Sequence, residues 1–239
     1  MFTFGLPSRL AAGDPYWNYV VLLLSFNGTN GSRDIVDSSS YARTVTAVGT
    51  CNLSSTQKKF GDTSCFLNDG WAAVDDAAVM ELGSQNWTIE FWQYVSNTNG
   101  GFAKDTVGQG DSGVYPIAFD LVTVSADRRL RVRLSSNGTA YDFDNTWPSS
   151  GHGFAFNTWQ HIAICRDGNT IALYVEGIQQ GSATYSNTVS NNSQQWSFGK
   201  AGTYGSYYSS GYVDELRMTV GACRYTSNFT PPTAPFPVG

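Results

Sequence analysis

The sequence predicts an all-β fold, a sandwich of two antiparallel sheets, and three observations lead there. From Val20 onwards short apolar runs recur between clusters of Gly, Asn, Asp and Ser, the spacing of strands and turns rather than of helices. Helical spacing is not sustained anywhere beyond residues 77–82. Residues 158–166 and 170–177 place β-branched and aromatic residues on both sides of Asp167-Gly168-Asn169, a hairpin whose turn accepts positive φ.

The strands follow in chain order. Residues 20–26 are almost wholly apolar and too few to cross a bilayer, which needs about 20, so they read as a buried strand. Residues 44–48, 64–67 and 72–74 are short apolar stretches between turn residues, and 88–95 continues the aromatic run that begins at Trp87. Residues 115–124, 130–134 and 139–143 come next, then the hairpin strands 161–166 and 171–175, then 195–198 and 211–219. A dozen short strands at this spacing indicate a two-sheet sandwich. Alternation assigns Trp87, Ile89, Phe91, Ile162, Ile164, Leu173 and Leu216 to one core, and Trp92, Trp159 and Trp196, being on or beside strands, are expected there too. Residues 1–18 stand apart as an arm in which Phe2, Phe4, Leu6 and Leu10 fit no strand or helix, leaving two readings: docking on a partner or a disordered leader. The main domain is expected over 19–239.

Composition narrows the function. Charged residues are only 14% of the 239, well under the usual quarter, so Ser, Thr, Asn, Gln and Gly must form the polar surface. A net charge of −5 argues against a nucleic-acid partner, whose phosphates need clustered cations. Arg128, Arg129, Arg131 and Arg133 fall on one strand, where alternation divides them between faces and solvent accounts for them. The opening Met1-Phe2-Thr3-Phe4-Gly5-Leu6-Pro7 lacks a basic start and a signal core, so the expectation is synthesis in a cytoplasm without membrane insertion.

Cys51, Cys65, Cys165 and Cys223 lack CxxC spacing and neighbouring histidines, which disfavours zinc. Cys51 and Cys65 can face each other on neighbouring strands, as a disulfide or as the reduced thiols a cytoplasm favours. Asn-x-Ser/Thr sequons begin at Asn27, Asn30, Asn52, Asn86, Asn137, Asn191 and Asn228. A chain this rich in Asn, Ser and Thr produces them by chance.

The hairpin with Trp159-Gln160-His161-Ile162, the strand Trp87-Thr88-Ile89-Glu90-Phe91-Trp92, the stretch Asp214-Glu215-Leu216-Arg217 and the closing Arg224-Tyr225-Thr226 and Phe229-Thr230-Pro231-Pro232 together resemble the laminin-G-like, concanavalin A-like jelly-roll family, over residues 19–236. The resemblance implies a jelly-roll sandwich that binds rather than catalyses. It also implies a tail lying extended across the sandwich, since its prolines cannot join a ladder. Domains of this kind occur in bacteriophage proteins, and an unexported adhesive domain fits a virion component made in the host cytoplasm. The expected partners are other virion proteins through the arm, further copies of the chain, and a host-surface glycan. A secreted carbohydrate-binding adhesin is the alternative and a glycoside hydrolase a third.

The hydrolases of this fold that carry Glu-x-Asp-x-x-Glu align their carboxylates on one strand, and nothing here matches. Asp214 and Glu215 are adjacent, so alternation sends them to opposite faces. His161 opens a core strand and reads as structural, and His152 lies between glycines. Sugar binding needs aromatic faces with polar surroundings; Tyr204, Tyr207 and Tyr208 in a Gly/Ser loop, and Trp147 in another loop, are the candidates, with local packing or a subunit contact as the other reading. Calcium takes oxygen ligands, and the resemblance suggests Asn27, Asp37 and Asp214 for an edge site, with the capping of turn amides as the other reading.

Overall fold

Alternation and turn chemistry together produce sixteen strands and two 3-10 turns in the computed structural model, which describes residues 13–96, 101–104, 117–124, 127–151, 153–199 and 210–239. The strands are β1 (Val20–Leu24), β2 (Ile35–Val36), β3 (Thr44–Gly49), β4 (Asn52–Ser54), β5 (Ser64–Leu67), β6 (Gly70–Val74), β7 (Trp87–Val95), β8 (Gly101–Lys104), β9 (Ile117–Val124), β10 (Asp127–Leu134), β11 (Phe143–Trp147), β12 (Gln160–Asp167), β13 (Thr170–Val175), β14 (Ile178–Thr184), β15 (Trp196–Phe198) and β16 (Gly211–Val220). The expected helical stretch at 77–82 is only a 3-10 turn, Ala78–Met80.

The first sheet runs β14-β13-β12-β7-β16-β5-β4, with β1 also on β16; the second runs β11-β10-β9-β8-β15-β6-β3-β2. All pairings are antiparallel among the described residues. The second hairpin, from β13 to β14, turns at Glu176 (φ 50) and Gly177 (φ 71), the two positive φ values that suit strand twist. Trp87, Ile89, Phe91, Ile162, Ile164, Leu173 and Leu216 share one core with Trp196, Phe198, Leu130 and Val132.

β12 and β13 are apolar on their outer face as well, through Ala163, Cys165, Ala172 and Tyr174, and the chain's C-terminal tail covers them with Cys223, Tyr225 and Phe229. The tail docks by backbone contacts: the Arg224 amide donates to Thr88 Oγ1 at 2.9 Å, the Phe229 amide to the Gly177 carbonyl at 2.9 Å, and Asn228 Oδ1 accepts from the Gln179 amide at 2.9 Å. A side chain at Gly177 would collide with the Phe229 carbonyl. The tail therefore crosses the sandwich, as its composition suggested.

Several expectations change. The arm does not extend to residue 18: Asp14 is buried and ion-paired, and Trp17 packs on Val20, Leu23 and Phe236. Phe2, Phe4, Leu6 and Leu10 lie outside the described residues. The strand expected at 139–143 is displaced to β11, because Asn137 Oδ1 accepts the Thr139 and Ala140 amides and folds that stretch into a turn. Arg129, Arg131 and Arg133 alternate with buried Leu130, Val132 and Leu134, so three of the four arginines share one face.

Candidate functional site

The outer face of the first sheet divides into a covered part and an aromatic part. The covered part centres on Glu90, fully buried on β7. Its Oε1 accepts Arg217 Nε at 2.9 Å and Nη2 at 2.7 Å, and its Oε2 accepts the Tyr225 hydroxyl at 2.9 Å and faces His161 Nε2 at 3.2 Å. Arg217 and Arg224 both reach Asp14, at 3.0 and 2.6 Å. Burial would raise the Glu90 pKa, but Arg217, His161 and Arg224 outweigh it and bring it down to about 2. Asp14 is lowered too, its burial outweighed by Arg224, the Tyr16 amide and Arg217. This cluster fastens the tail and residues 14–19 to the sheet.

Asp214 and Glu215 both lie on this outer side, which overturns the expectation of opposite faces. The register between β16 and β7 shifts between Asp214 and Arg217, and Glu215 has φ 50; the extra residue of a bulge interrupts the alternation. Asp214 pairs across the strands with Trp92 and accepts the Lys59, Phe60 and Glu215 amides at 2.8, 3.1 and 3.0 Å. Glu215 accepts the Phe236 amide at 2.8 Å. Burial raises both carboxyls, Asp214 to about 6 and Glu215 to about 7, against the pull of those amides.

One row further along the strands the face changes character. Phe66, Tyr212 and Tyr94 are successive cross-strand partners on β5, β16 and β7, and Trp159, just before β12, continues the line. Their ring centroids follow at 5.1, 6.0 and 5.7 Å. All four are half-buried, so each keeps ring surface at the solvent side. Asn52 stands opposite Phe66 on the edge strand β4, Ser96 borders the row at one end of β7, and Lys59 Nζ sits 3.7 Å over the neighbouring Trp92 ring. Rings in a line with small polar neighbours can stack against the apolar faces of pyranose rings while the rim bonds hydroxyls.

The sequence-based site residues fare unevenly. Trp147 is a correction: it lies on β11, in the core with Phe143 and only 7% exposed, because its inward register hides the ring that a sugar would need. Tyr204, Tyr207 and Tyr208 lie outside the described residues, in the segment leading into Tyr212. Trp159 belongs to the outer row rather than to the core. Trp92 is buried on the outer face, under Phe60 and Lys59.

Asp37 caps the turn that follows β2: Oδ1 accepts the Leu23 and Ser39 amides, and Oδ2 the Ser39 hydroxyl and the Arg43 amide. Asn27 Oδ1 accepts the Asp62 amide. With Asp214 likewise engaged, these three side chains direct their oxygens at amide donors, and the set does not fit the convergent free oxygens calcium requires. No group of three His, Cys, Asp or Glu able to hold a metal occurs among the described residues. Phe66, Tyr94 and Tyr212 escaped sequence reasoning, although their alternation with inward residues on each strand carried the signal.

The fold is similar to that of the binding domain of Paraclostridial mosquitocidal protein 1 (TM-score 0.61, 16% identity, covering 87% of this chain and 50% of that one). It is similar also to domain 4 of AbnA, a GH43 extracellular arabinanase from Geobacillus stearothermophilus in complex with arabinotriose (TM-score 0.60, 18% identity, 85% and 93%). The receptor binding domain of botulinum neurotoxin D is a third (TM-score 0.59, 15% identity, 90% and 51%). The chain spans about half the length of the two toxin chains. No curated protein sequence matches it. The Laminin G 3 family model, described as the concanavalin A-like lectin/glucanases superfamily, matches residues 66–222, and with two thirds of its length so matched the chain belongs to that superfamily.

Proposed function

We propose that this chain is a non-catalytic glycan-binding module whose ligand lies along Phe66, Tyr212, Tyr94 and Trp159. The continuous row of four half-exposed rings carries the reading. The row crosses four neighbouring segments of a sheet whose strands stand about 4.8 Å apart, room for more than one sugar. The arabinotriose complex of the similar AbnA domain supports an oligosaccharide as the ligand class. The nearby carboxylates are unsuited to glycoside hydrolysis, which needs two of them against the scissile bond: Glu90, Asp214 and Glu215 are buried and engaged in ion pairs or in hydrogen bonds from backbone amides.

The module's setting is a bacteriophage virion in this reading, with the jelly roll outward and residues 1–12 toward the particle. The closing Asp-Glu-Leu-Arg, Arg-Tyr-Thr and Phe-Thr-Pro-Pro stretches and the apolar Phe2, Phe4, Leu6 and Leu10 support it.

Affinity electrophoresis in gels containing arabinan, a β-glucan or bacterial lipopolysaccharide tests the site. Retardation by at least one of them is expected, with Tyr94→Ala and Tyr212→Ala each weakening binding tenfold or more, about 1.4 kcal/mol, at unchanged thermal stability. Retardation that survives the double replacement would move the site elsewhere.

A further inference from the structure

The four cysteines, 14 to 172 positions apart in the chain, meet as two pairs. Cys51 and Cys65 Sγ atoms lie 3.1 Å apart, and both residues are buried. Cys51 stands where the chain leaves β3 of the second sheet for β4 of the first, and Cys65 lies on β5 beside β4. Cys165, on the outer face of β12, accepts the Thr88 hydroxyl at 3.6 Å, and Cys223 of the tail, half-buried and donating its Sγ to the Tyr225 carbonyl at 3.3 Å, packs over it. All four are thiols in this structure.

We propose that both pairs are oxidation sites, forming Cys51–Cys65 and Cys165–Cys223 disulfides when a small-molecule disulfide such as oxidised glutathione is present. The first bridge would fasten the crossing between sheets and the second would staple the tail to the first sheet. The Cys223 thiolate attacks one glutathione sulfur, the oxidant's S–S bond breaks, and one glutathione thiolate leaves and takes a proton. The Cys165 thiolate then attacks Cys223 Sγ of the mixed disulfide and releases the second glutathione. Two cysteine protons and two electrons have moved to the oxidant, which becomes two thiols.

Access decides the order. Cys223 is the reachable member of its pair, and the neighbouring Cys165 thiol lowers its pKa, favouring the attacking thiolate. Cys51 and Cys65 are sealed in the core, and the hydrogen bond with Cys51, together with burial, holds the Cys65 thiol well above its ordinary range. Cys165–Cys223 therefore forms in the folded protein, and Cys51–Cys65 forms when the chain refolds in the presence of oxidant.

The test is peptide mapping after alkylation, on the full chain. Reduced folded protein treated with oxidised glutathione should yield the Cys165–Cys223 linked peptide with Cys51 and Cys65 alkylated. Protein refolded from denaturant with oxidised and reduced glutathione should yield both bridges. Cys223→Ser and Cys51→Ser should each remove their own bridge and leave the other. Four alkylated thiols after oxidative refolding, a stable Cys223–glutathione adduct in place of the bridge, or a link between the pairs would overturn the assignment. Oxidation of Cys51–Cys65 first in the folded protein would overturn the order.

Discussion

Arg217 grips Glu90 with two nitrogens on one carboxylate oxygen, Nε at 2.9 Å and Nη2 at 2.7 Å, and the Phe236 ring lies 3.9 Å beneath the guanidinium. One strand neighbour, one tail residue and one charge pair thus meet in a space closed to water. A buried pair adds little over apolar residues of the same shape, yet removing one member strands the other charge. Glu90→Ala should therefore cost about 3–5 kcal/mol in urea unfolding. The double replacement Glu90→Leu with Arg217→Met should cost less than Glu90→Ala alone. Equal or additive losses would show that the two side chains act independently.

The same face sets an acid limb and a neutral limb of stability. Glu90 titrates near 4.5 when unfolded and near 2 when folded, so its contribution is complete above pH 4.5 and is lost as pH falls toward 2. Glu215 is raised from 4.5 to about 7 by burial. Below pH 4.5 both states hold its proton; between 4.5 and 7 the unfolded carboxyl ionises first, and stability falls as pH rises. Unfolding free energy should accordingly decline from about pH 4.5 toward 7, with Asp214, raised to about 6, adding to the fall, and Glu215→Gln should make that limb shallower, gaining roughly 1–3 kcal/mol at pH 8. An unchanged slope in the variant would remove Glu215 from the explanation.

Asp37 accepts backbone amides with both of its oxygens. Asp37→Ala leaves the buried Leu23 amide without its acceptor and frees the Arg43 amide, a loss of about 1–3 kcal/mol for each stranded donor. Calcium, or its removal by chelator, should leave the melting temperature of the wild-type protein unchanged. A rise with calcium that disappears in Asp37→Ala would restore the ion-site reading.

Phe91 tests the main core. It belongs to the core on β7, paired across the strands with Ile162 of β12, and is 5% exposed. Phe91→Ala should cost about 3–5 kcal/mol, read from denaturant midpoints. Wild-type stability would place it outside the core.

The inward side of the strands was readable: the strand at 64–67 coincides with β5, and the seven core residues named from alternation all lie in one cluster. The pattern weakens where both faces are covered. Glu90, His161 and Arg217 break the apolar run on strands buried on both sides, and the positions of the tail and of Asp14 explain them. β14 was missed because its Gln179-Gln180-Gly181-Ser182 stretch is polar, as an edge strand can be. The bulge at Glu215 hid a shared face behind adjacent positions. The aromatic row needed the topology: alternation turns Phe66, Tyr94 and Tyr212 outward one strand at a time, but with Trp159 they come from four separate segments, and only strand order β12-β7-β16-β5 lines them up.

Asp14 moves the start of the folded unit ahead of residue 18. It accepts Arg224 Nη1 at 2.9 Å, Arg217 Nη1 at 3.0 Å and the Tyr16 amide at 2.9 Å, and Trp17 packs against Val20 and Phe236. Removing residues 1–12 takes away Phe2, Phe4, Leu6 and Leu10 but none of these contacts. That truncation should melt like the full chain and, if the arm attaches the protein to a particle, should no longer incorporate. Removing residues 1–18 also strips the carboxylate that Arg217 and Arg224 share, leaving two buried cations with Glu90 as their remaining acidic partner. That loss should lower stability by about 3–5 kcal/mol and loosen the tail, seen as faster amide exchange at Arg224 and Phe229. Equal melting of the two truncations would return residues 13–18 to the arm, and normal incorporation of the shorter truncation would put attachment on the jelly roll itself.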